Sequence, residues 1–89
     1  MTIHVTLPAL LRDAIRASHV AIDATTLADA IDQLRAHPRL GPLIFDDAGA
    51  LRPHVLIFHN EQATRWLDKL DIPLRAGDRL AVVQATSGG

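Results

Sequence analysis

The fold is decided by the stretch Arg79-Leu80-Ala81-Val82-Val83-Gln84-Ala85-Thr86-Ser87-Gly88-Gly89, which closes the chain. Its first six residues are rich in apolar and β-branched side chains, a composition that predicts a strand. The five residues that follow are small and uncharged, and the last two are glycines. Such an ending gains a functional meaning only if the preceding residues form a compact domain that presents it.

The composition predicts one small globular domain. The chain has 89 residues, of which 48% are hydrophobic and 21% charged, with a net charge of −1, and such values are typical of folded proteins. The sequence contains no basic run, so no nucleic-acid partner is expected. It contains no long apolar run and no signal-peptide pattern, so we expect no membrane contact and a cytoplasmic location. The absence of cysteine excludes disulfides and a thiol nucleophile.

The N-terminal half predicts two strands and one helix. Residues 2–7 and 18–23 alternate polar and apolar side chains, which predicts two half-buried strands. Residues 9–12, after Pro8, are interpreted as a turn in an irregular connection between them. Residues 26–37 predict the main helix, with Thr26 as its N-cap and Pro38 beyond its end. The apolar stripe of this helix consists of Leu27, Ala30, Ile31 and Leu34.

The C-terminal half predicts two further strands. Residues 52–59 give the strongest strand signal, and residues 79–84 follow a turn at Ala76-Gly77-Asp78. Between these strands, Trp66-Leu67 and Ile72-Pro73-Leu74 are interpreted as short apolar anchors. Residues 43–45 are expected to lie beneath the sheet. The element order predicts an α+β fold in which a mixed sheet of four to five strands carries one main helix on one face, with the first and last strands side by side.

The pleat of the last two strands predicts a surface for partners. If Val55, Ile57, Leu80 and Val82 point toward the helix, their neighbours in sequence must point away from it. These outward residues are Leu56, Phe58, Ala81 and Val83. An exposed apolar patch on a small protein often marks a binding surface. The alternative, in which Trp66 and its loop cover the patch, remains open.

Other polar groups do not form a convincing catalytic or metal site. The five histidines have no i,i+4 pair on the helix, although His4 and His54 are candidates for a close approach across the sheet. Asp46-Asp47 lacks the spacing of calcium ligands and is interpreted as a turn. Ser87 has no base beside it in the sequence. No metal site and no catalytic residue are predicted.

The ordered set of motifs resembles the MoaD/ThiS family of ubiquitin-like sulfur carriers. The resemblance covers nearly the whole chain and ends on Gly88-Gly89. The motifs that carry it are Leu7-Pro8-Ala9-Leu10-Leu11-Arg12, Thr26-Leu27 with Ala30 and Leu34, Gly49-Ala50-Leu51-Arg52, Val55-Leu56-Ile57-Phe58-His59-Asn60, and Leu74-Arg75-Ala76-Gly77-Asp78. The chain departs from the family where Thr86-Ser87 replaces a proline-containing tail. It also departs at Asp13-Ala14-Ile15-Arg16, where many members have a Gly-Gly turn.

The resemblance implies a ubiquitin-like β-grasp domain over residues 1–85 and a flexible tail over residues 86–89. It implies a sulfur carrier that is not itself an enzyme and binds no cofactor. In that role Gly89 is adenylated with ATP by a ubiquitin-activating-like adenylyltransferase and becomes a thiocarboxylate. Thr86, Ser87 and Gly88 thread the active site of the partner. The sulfur then passes to an acceptor enzyme, such as the large subunit of molybdopterin synthase or a cysteine-forming enzyme.

Two other functions stay open from the sequence. One is a ubiquitin-like modifier that is joined to proteins through Gly89. The other is a regulatory interaction domain whose function does not use the C-terminus. The sequence does not separate molybdopterin synthesis from cysteine synthesis as the pathway that a carrier of this kind would serve.

Overall fold

The computed structural model describes residues 2–64 and 69–84 of the chain. The helices in this part are α1 (Ala9–Ile15), α2 (Leu27–Ala36) and α3 (Gly41–Ile44). The strands are β1 (Thr2–Thr6), β2 (His19–Asp23), β3 (Val55–His59), β4 (Gln62–Ala63) and β5 (Arg79–Gln84). The predicted anchor at Trp66-Leu67 lies outside the described residues.

The strands form one mixed sheet in the order β2-β1-β5-β3-β4. β1 is antiparallel to β2 and parallel to β5, whereas β5 and β4 both run antiparallel to β3. The first and last strands are therefore neighbours in the centre of the sheet, as predicted. The register places Val5 beside Leu80 and Ile57 beside Val82. All four of these side chains are buried on the inner face of the sheet.

The main helix α2 supplies the second layer, and its prediction is confirmed. The Thr26 hydroxyl accepts a hydrogen bond from the backbone N–H of Asp29 at 3.1 Å, which is the N-cap geometry. The four residues of the predicted stripe are buried in the core together with the inner face of the sheet. Burial of this stripe gives α2 most of its stability, because a helix of ten residues is marginal alone.

Residues 70–74 run along the start of α2 and close one side of the core. The Leu27 and Ala28 N–H groups donate to the carbonyls of Ile72 and Leu70, and Leu74 N–H donates to the carbonyl of Thr25. Leu74 is buried and Ile72 packs against the core. The predicted anchor at residues 72–74 is thereby confirmed.

Residues 9–12 form most of helix α1, so the turn predicted there is wrong. Pro8 occupies the N-cap position, and Leu11 is the buried residue of the helix. Ile15, four residues on, is partly buried and packs against the core, so the apolar stripe has only two members. Such a short stripe is why the pattern did not reveal the helix. The helix ends at Arg16, whose φ of 57° places it in the left-handed region.

Two further details differ from the sequence prediction. The strand expected over residues 52–59 begins only at Val55, because Pro53 and His54 lie in a turn. Residues 43–45 were expected beneath the sheet, but Leu43 is exposed while Ile44 and Phe45 are buried. Leu43 and Ile44 belong to the short helix α3, and Phe45 is its C-cap, so the three side chains point in different directions.

The hairpin between β3 and β4 adds a short fifth strand, at the upper limit of the predicted range. Asn60 and Glu61 connect the two strands, and both have positive φ angles of 48° and 78°. Positive φ at both central residues is the geometry of a tight two-residue hairpin turn. Asn tolerates this region well, whereas Glu adopts it only where the hairpin enforces it.

Candidate functional site

Strand β5 leads directly to the predicted tail. Gln84, its last residue, pairs with Val55 in β3. Because β5 has a neighbour on both sides and an inner face in the core, the base of the tail starts from a rigid part of the molecule. The predicted tail residues Thr86, Ser87, Gly88 and Gly89 lie outside the described residues.

The outward face of β3 and β5 carries the predicted partner surface. Leu56 pairs with Val83, and Phe58 pairs with Ala81, so the four side chains share one face of two adjacent strands. Val83 is exposed, while the other three are half-buried. Their sequence neighbours Val55, Ile57, Leu80 and Val82 are all buried in the core. The predicted inward and outward assignment is confirmed, and these four residues are called the sheet patch below.

A shallow pocket of about 480 Å³ and a second of about 300 Å³ lie beside β5. The smaller one includes Phe58 and Ala81 of the sheet patch, with Thr6 on the neighbouring strand β1. Arg79, Asn60 and Glu61 form its polar rim. An apolar floor with a polar rim suits contact with another protein surface. The larger pocket lies at the other end of β5, beside Gln84.

The alternative in which Trp66 covers the sheet patch stays a hypothesis, because Trp66 lies outside the described residues. On the β1 side of the patch, the outward residues are polar. His4 and Thr6 in β1 pair with Arg79 and Ala81 in β5. The outer face of the sheet therefore changes from apolar at β3 and β5 to polar at β1 and β2.

A polar network that the sequence analysis missed fixes the start of β5. The Asp78 carboxylate accepts hydrogen bonds from the Arg75 backbone N–H and from the Asn60 side-chain amide, both at 3.0 Å. His59 Nε2 lies 3.0 Å from the same carboxylate and carries the proton, because an ionised carboxylate only accepts. The Asn60 side-chain carbonyl in turn accepts from Arg79 N–H at 2.8 Å. These bonds tie the β3–β4 turn to the first residue of β5.

The same contacts change the acidity of Asp78. The Arg75 N–H, followed by the His59 and Asn60 side chains, favours the ionised form and lowers the pKa of Asp78 to about 2. The carboxylate therefore stays charged through the ordinary pH range. The network acts on the position of β5, and it lies at the opposite end of that strand from the predicted tail.

His4 and His54 lie near opposite ends of β5. His4 pairs with Arg79 at one end of β5, whereas Val55, the neighbour of His54, pairs with Gln84 at the other end. The predicted approach of His4 to His54 is therefore wrong; the His4 ring lies 5.4 Å from that of His19. Within residues 2–64 and 69–84, no group of three or more potential ligands is placed to hold a metal ion.

Asp46 organises the turn at residues 46–49. The Asp46 side chain accepts hydrogen bonds from the N–H groups of Ala48 and Ala50 at 2.9 and 3.0 Å, so this acidic residue organises a turn, as predicted. In the part of the chain that the structure describes, no helix has the length and apolar character needed to cross a membrane.

Comparison with known proteins places this architecture in a family. The model of the ThiS family matches residues 5–89, which is nearly the whole chain. Small archaeal modifier protein 1 from Haloferax volcanii is 37% identical over 76 residues, covering 83% of each chain. The crystal structure of that archaeal protein superimposes with a TM-score of 0.77 at 32% identity and covers both chains completely.

Two more distant structures share the fold. The Amycolatopsis orientalis BexX/CysO complex contains a chain with a TM-score of 0.75 and 21% identity, matched over 98% of this chain and 99% of that one. A complex of subunits 1 and 2 of the molybdopterin-converting factor from Helicobacter pylori matches with a TM-score of 0.64 and 20% identity, over the full length of both chains. The predicted ubiquitin-like β-grasp fold is confirmed by these neighbours. The chain belongs to the ThiS family of small ubiquitin-like carrier and modifier proteins.

Proposed function

We propose that this protein is a sulfur carrier that works through a thiocarboxylate on Gly89. The observation that carries the proposal is the match of the ThiS family through residue 89, combined with a Gly88-Gly89 pair that follows the central strand β5 after three intervening residues. Glycine lets a partner's active site close tightly around the backbone, because it has no Cβ and few conformational restrictions. The protein supplies the group that is transferred, and its partners supply the catalytic residues.

The proposed cycle has three steps. An oxygen of the Gly89 carboxylate attacks the α-phosphorus of ATP, which forms an acyl-adenylate and releases pyrophosphate. A sulfide nucleophile then attacks the acyl carbon, so that a C–S bond forms while the C–O bond to AMP breaks. Finally the thiocarboxylate sulfur attacks an electrophilic carbon in the substrate of an acceptor enzyme and displaces its leaving group. Hydrolysis of the bond between this sulfur and the Gly89 acyl carbon then regenerates the carboxylate and leaves the sulfur on the substrate. Because the chain contains no cysteine, Gly89 is the position available for carrying this sulfur.

We propose two partners for these steps. The first is a ubiquitin-activating-like adenylyltransferase, which binds the ATP. The second is a sulfur acceptor, either the large subunit of a molybdopterin synthase or a cysteine-forming enzyme. The structures of the BexX/CysO complex and of the two subunits of the molybdopterin-converting factor support docking on a partner protein, since related folds there are bound to other chains.

The sheet patch is the proposed docking surface for these partners. Phe58→Asp places a charge where an apolar contact forms, and we expect it to weaken binding to the acceptor by about tenfold or more. The matched control is Ala21→Asp, which adds the same charge to the polar side of the outer face, on β2. If Phe58→Asp lowers the melting temperature sharply, Val83→Asp is used as the test variant, because Val83 is exposed. Binding is measured by calorimetry. If Phe58→Asp and Val83→Asp both bind the acceptor as tightly as the wild type does, the assignment of the sheet patch is contradicted.

Adenylation is tested by ATP–pyrophosphate exchange with the adenylyltransferase of the same cell. Exchange that depends on this protein, and that disappears when Gly88 and Gly89 are deleted, supports the proposal. The control is Ala48→Gly, a change in an exposed turn, which is expected to leave the exchange unchanged. The absence of exchange with an enzyme that is active on another carrier contradicts the proposal.

A second function is favoured by one comparison. The Haloferax volcanii relative is named a small archaeal modifier protein, and a modifier would use the same Gly89 adenylate to form an isopeptide bond with a lysine. Tryptic peptides from the same cell that carry a lysine joined to the C-terminal residues of this protein would establish that use. If such peptides are found and no sulfur transfer is detected, the protein is a modifier and the carrier proposal is wrong.

A further inference from the structure

A groove lies where β5 ends, on the side of the sheet that faces the helices. Gln84 shares this side of the strand with the buried residues Leu80 and Val82. The groove has a volume of about 480 Å³, and its walls come from α1, from α3 and from the segment before β3. We call it the tail-base groove, and the residues that matter here are Leu10, Pro42, Leu43, Arg52, His54 and Gln84.

The groove is unusual because its rim carries exposed apolar side chains. Leu10 is 69% exposed and Leu43 is 39% exposed, although both are large and apolar. Among the described residues, one other large hydrophobic side chain is exposed, that of Val83. Val83 precedes Gln84 and lies on the opposite face of β5. All three therefore lie around the same end of β5. A cluster of this kind is more typical of a contact surface than of scattered exposure.

The length of the chain beyond Gln84 determines how close a partner has to come. Five residues separate Gln84 from the end of Gly89, and even fully extended they span at most about 17 Å. An enzyme that acts on Gly89 must therefore bring its active site within this distance of the groove. The enzyme surface around that active site then lies close to the end of β5.

The groove also has a charge that defines its occupant. Arg52 donates through Nε and Nη2 to the Pro42 carbonyl at 3.0 and 2.8 Å, which fixes one wall and leaves Nη1 without a hydrogen-bond partner within the described residues. His54 is exposed on the same wall. An apolar floor beside a cationic group suits an apolar side chain with an adjacent carboxylate.

We propose that the tail-base groove is a second contact surface for the adenylyltransferase and that it receives an apolar side chain flanked by an acidic residue. This inference rests on the proposed function and adds a surface to it. The sheet patch and the tail-base groove then hold the enzyme on both faces of β5. This second contact adds to the binding of the carrier and lies away from the reacting atoms of Gly89.

The test uses the carrier variants Leu10→Asp and Leu43→Asp as substrates of the adenylyltransferase. ATP–pyrophosphate exchange is measured while the concentration of each variant is changed. Leu10 is highly exposed and lies in the first turn of α1, where an acidic residue suits the helix dipole, so its folding is preserved. We expect the KM for the carrier to rise by about tenfold or more, because an apolar contact is lost and a charge opposes the acidic residue. The kcat at saturation stays within about twofold, because the groove does not touch the reacting atoms.

The control is Ala76→Asp, which adds the same charge in an exposed turn at the opposite end of β5. Its KM is expected to match that of the wild type. Unchanged KM values for both leucine variants overturn the groove proposal while the carrier function stands. Failure of the wild type itself to support exchange overturns the proposed function, so the two failures are distinguishable. Melting curves of each variant confirm that a change in KM does not arise from unfolding.

Discussion

At the scale of single residues, Asp78 links two segments that are far apart in sequence. It accepts hydrogen bonds from residues at the end of β3 and in the turn before β5. Strand alternation predicted the inward and outward sides of β3 and β5, because the pleat follows from sequence position alone. The Asp78 network was not predictable in this way, because Asn60 and Asp78 are 18 residues apart and meet only after the strands pair.

The lowered pKa of Asp78 predicts a stability change in acid. Its folded-state pKa is about 2 instead of 3.8, so the unfolded chain binds more protons between these values. The contribution of this residue is therefore complete above about pH 4 and is lost as the pH falls toward 2. In urea unfolding at pH 6, we expect Asp78→Asn to have a lower free energy of unfolding than the wild type. This difference in free energy is expected to narrow between pH 4 and pH 2. If the difference in free energy of unfolding between the two proteins does not depend on pH, the charge of Asp78 does not contribute to stability.

Arg16 predicts a stabilising substitution. It adopts a left-handed conformation at the end of α1, with a φ of 57°, where glycine has no steric cost. This position lies in the segment where the sequence resemblance implies a Gly-Gly turn, and Arg16 has a positive φ there. We expect Arg16→Gly to raise the free energy of unfolding by about 0.5–1 kcal/mol. Arg16→Ala removes the same side chain but keeps Cβ, and it is expected to give no gain in chemical denaturation.

At the scale of elements, periodicity predicted the parts of the chain that bury a complete face. Helix α2 has four buried positions and β3 has two, so their patterns were visible in the sequence. Helices α1 and α3 have seven and four residues, and α1 buries only Leu11. Their formation depends on packing at the ends of the sheet, which a local pattern does not contain.

The contact between α2 and α3 predicts a sensitive glycine. A Cβ atom added to Gly41 would lie 2.4 Å from the carbonyl oxygen of Arg35, so the two helices would have to separate. We expect Gly41→Ala to lower the free energy of unfolding by about 1–3 kcal/mol, as overpacking does in other cores. Urea unfolding measures the change. An alanine variant as stable as the wild type would mean that α3 shifts without loss of packing.

At the scale of the whole molecule, the sequence motifs were sufficient to predict the family and the fold. The ordered motifs implied a β-grasp domain, and the mixed sheet with β1 beside β5 agrees with it. The role of the sheet patch stays a prediction, because its exposure does not identify a partner. The division into residues 1–85 and 86–89 also stays a prediction, since residues 85–89 lie outside the described part of the chain.

The central claim is that sulfur is carried on Gly89, and intact mass spectrometry tests it most directly. The protein is incubated with ATP, a sulfide donor and the adenylyltransferase of the same cell, and its mass is then measured. The account predicts replacement of one oxygen by sulfur, located at the C-terminal residue by fragmentation and absent when Gly89 is deleted. An unchanged mass, with an enzyme that converts another carrier in the same reaction, would contradict it.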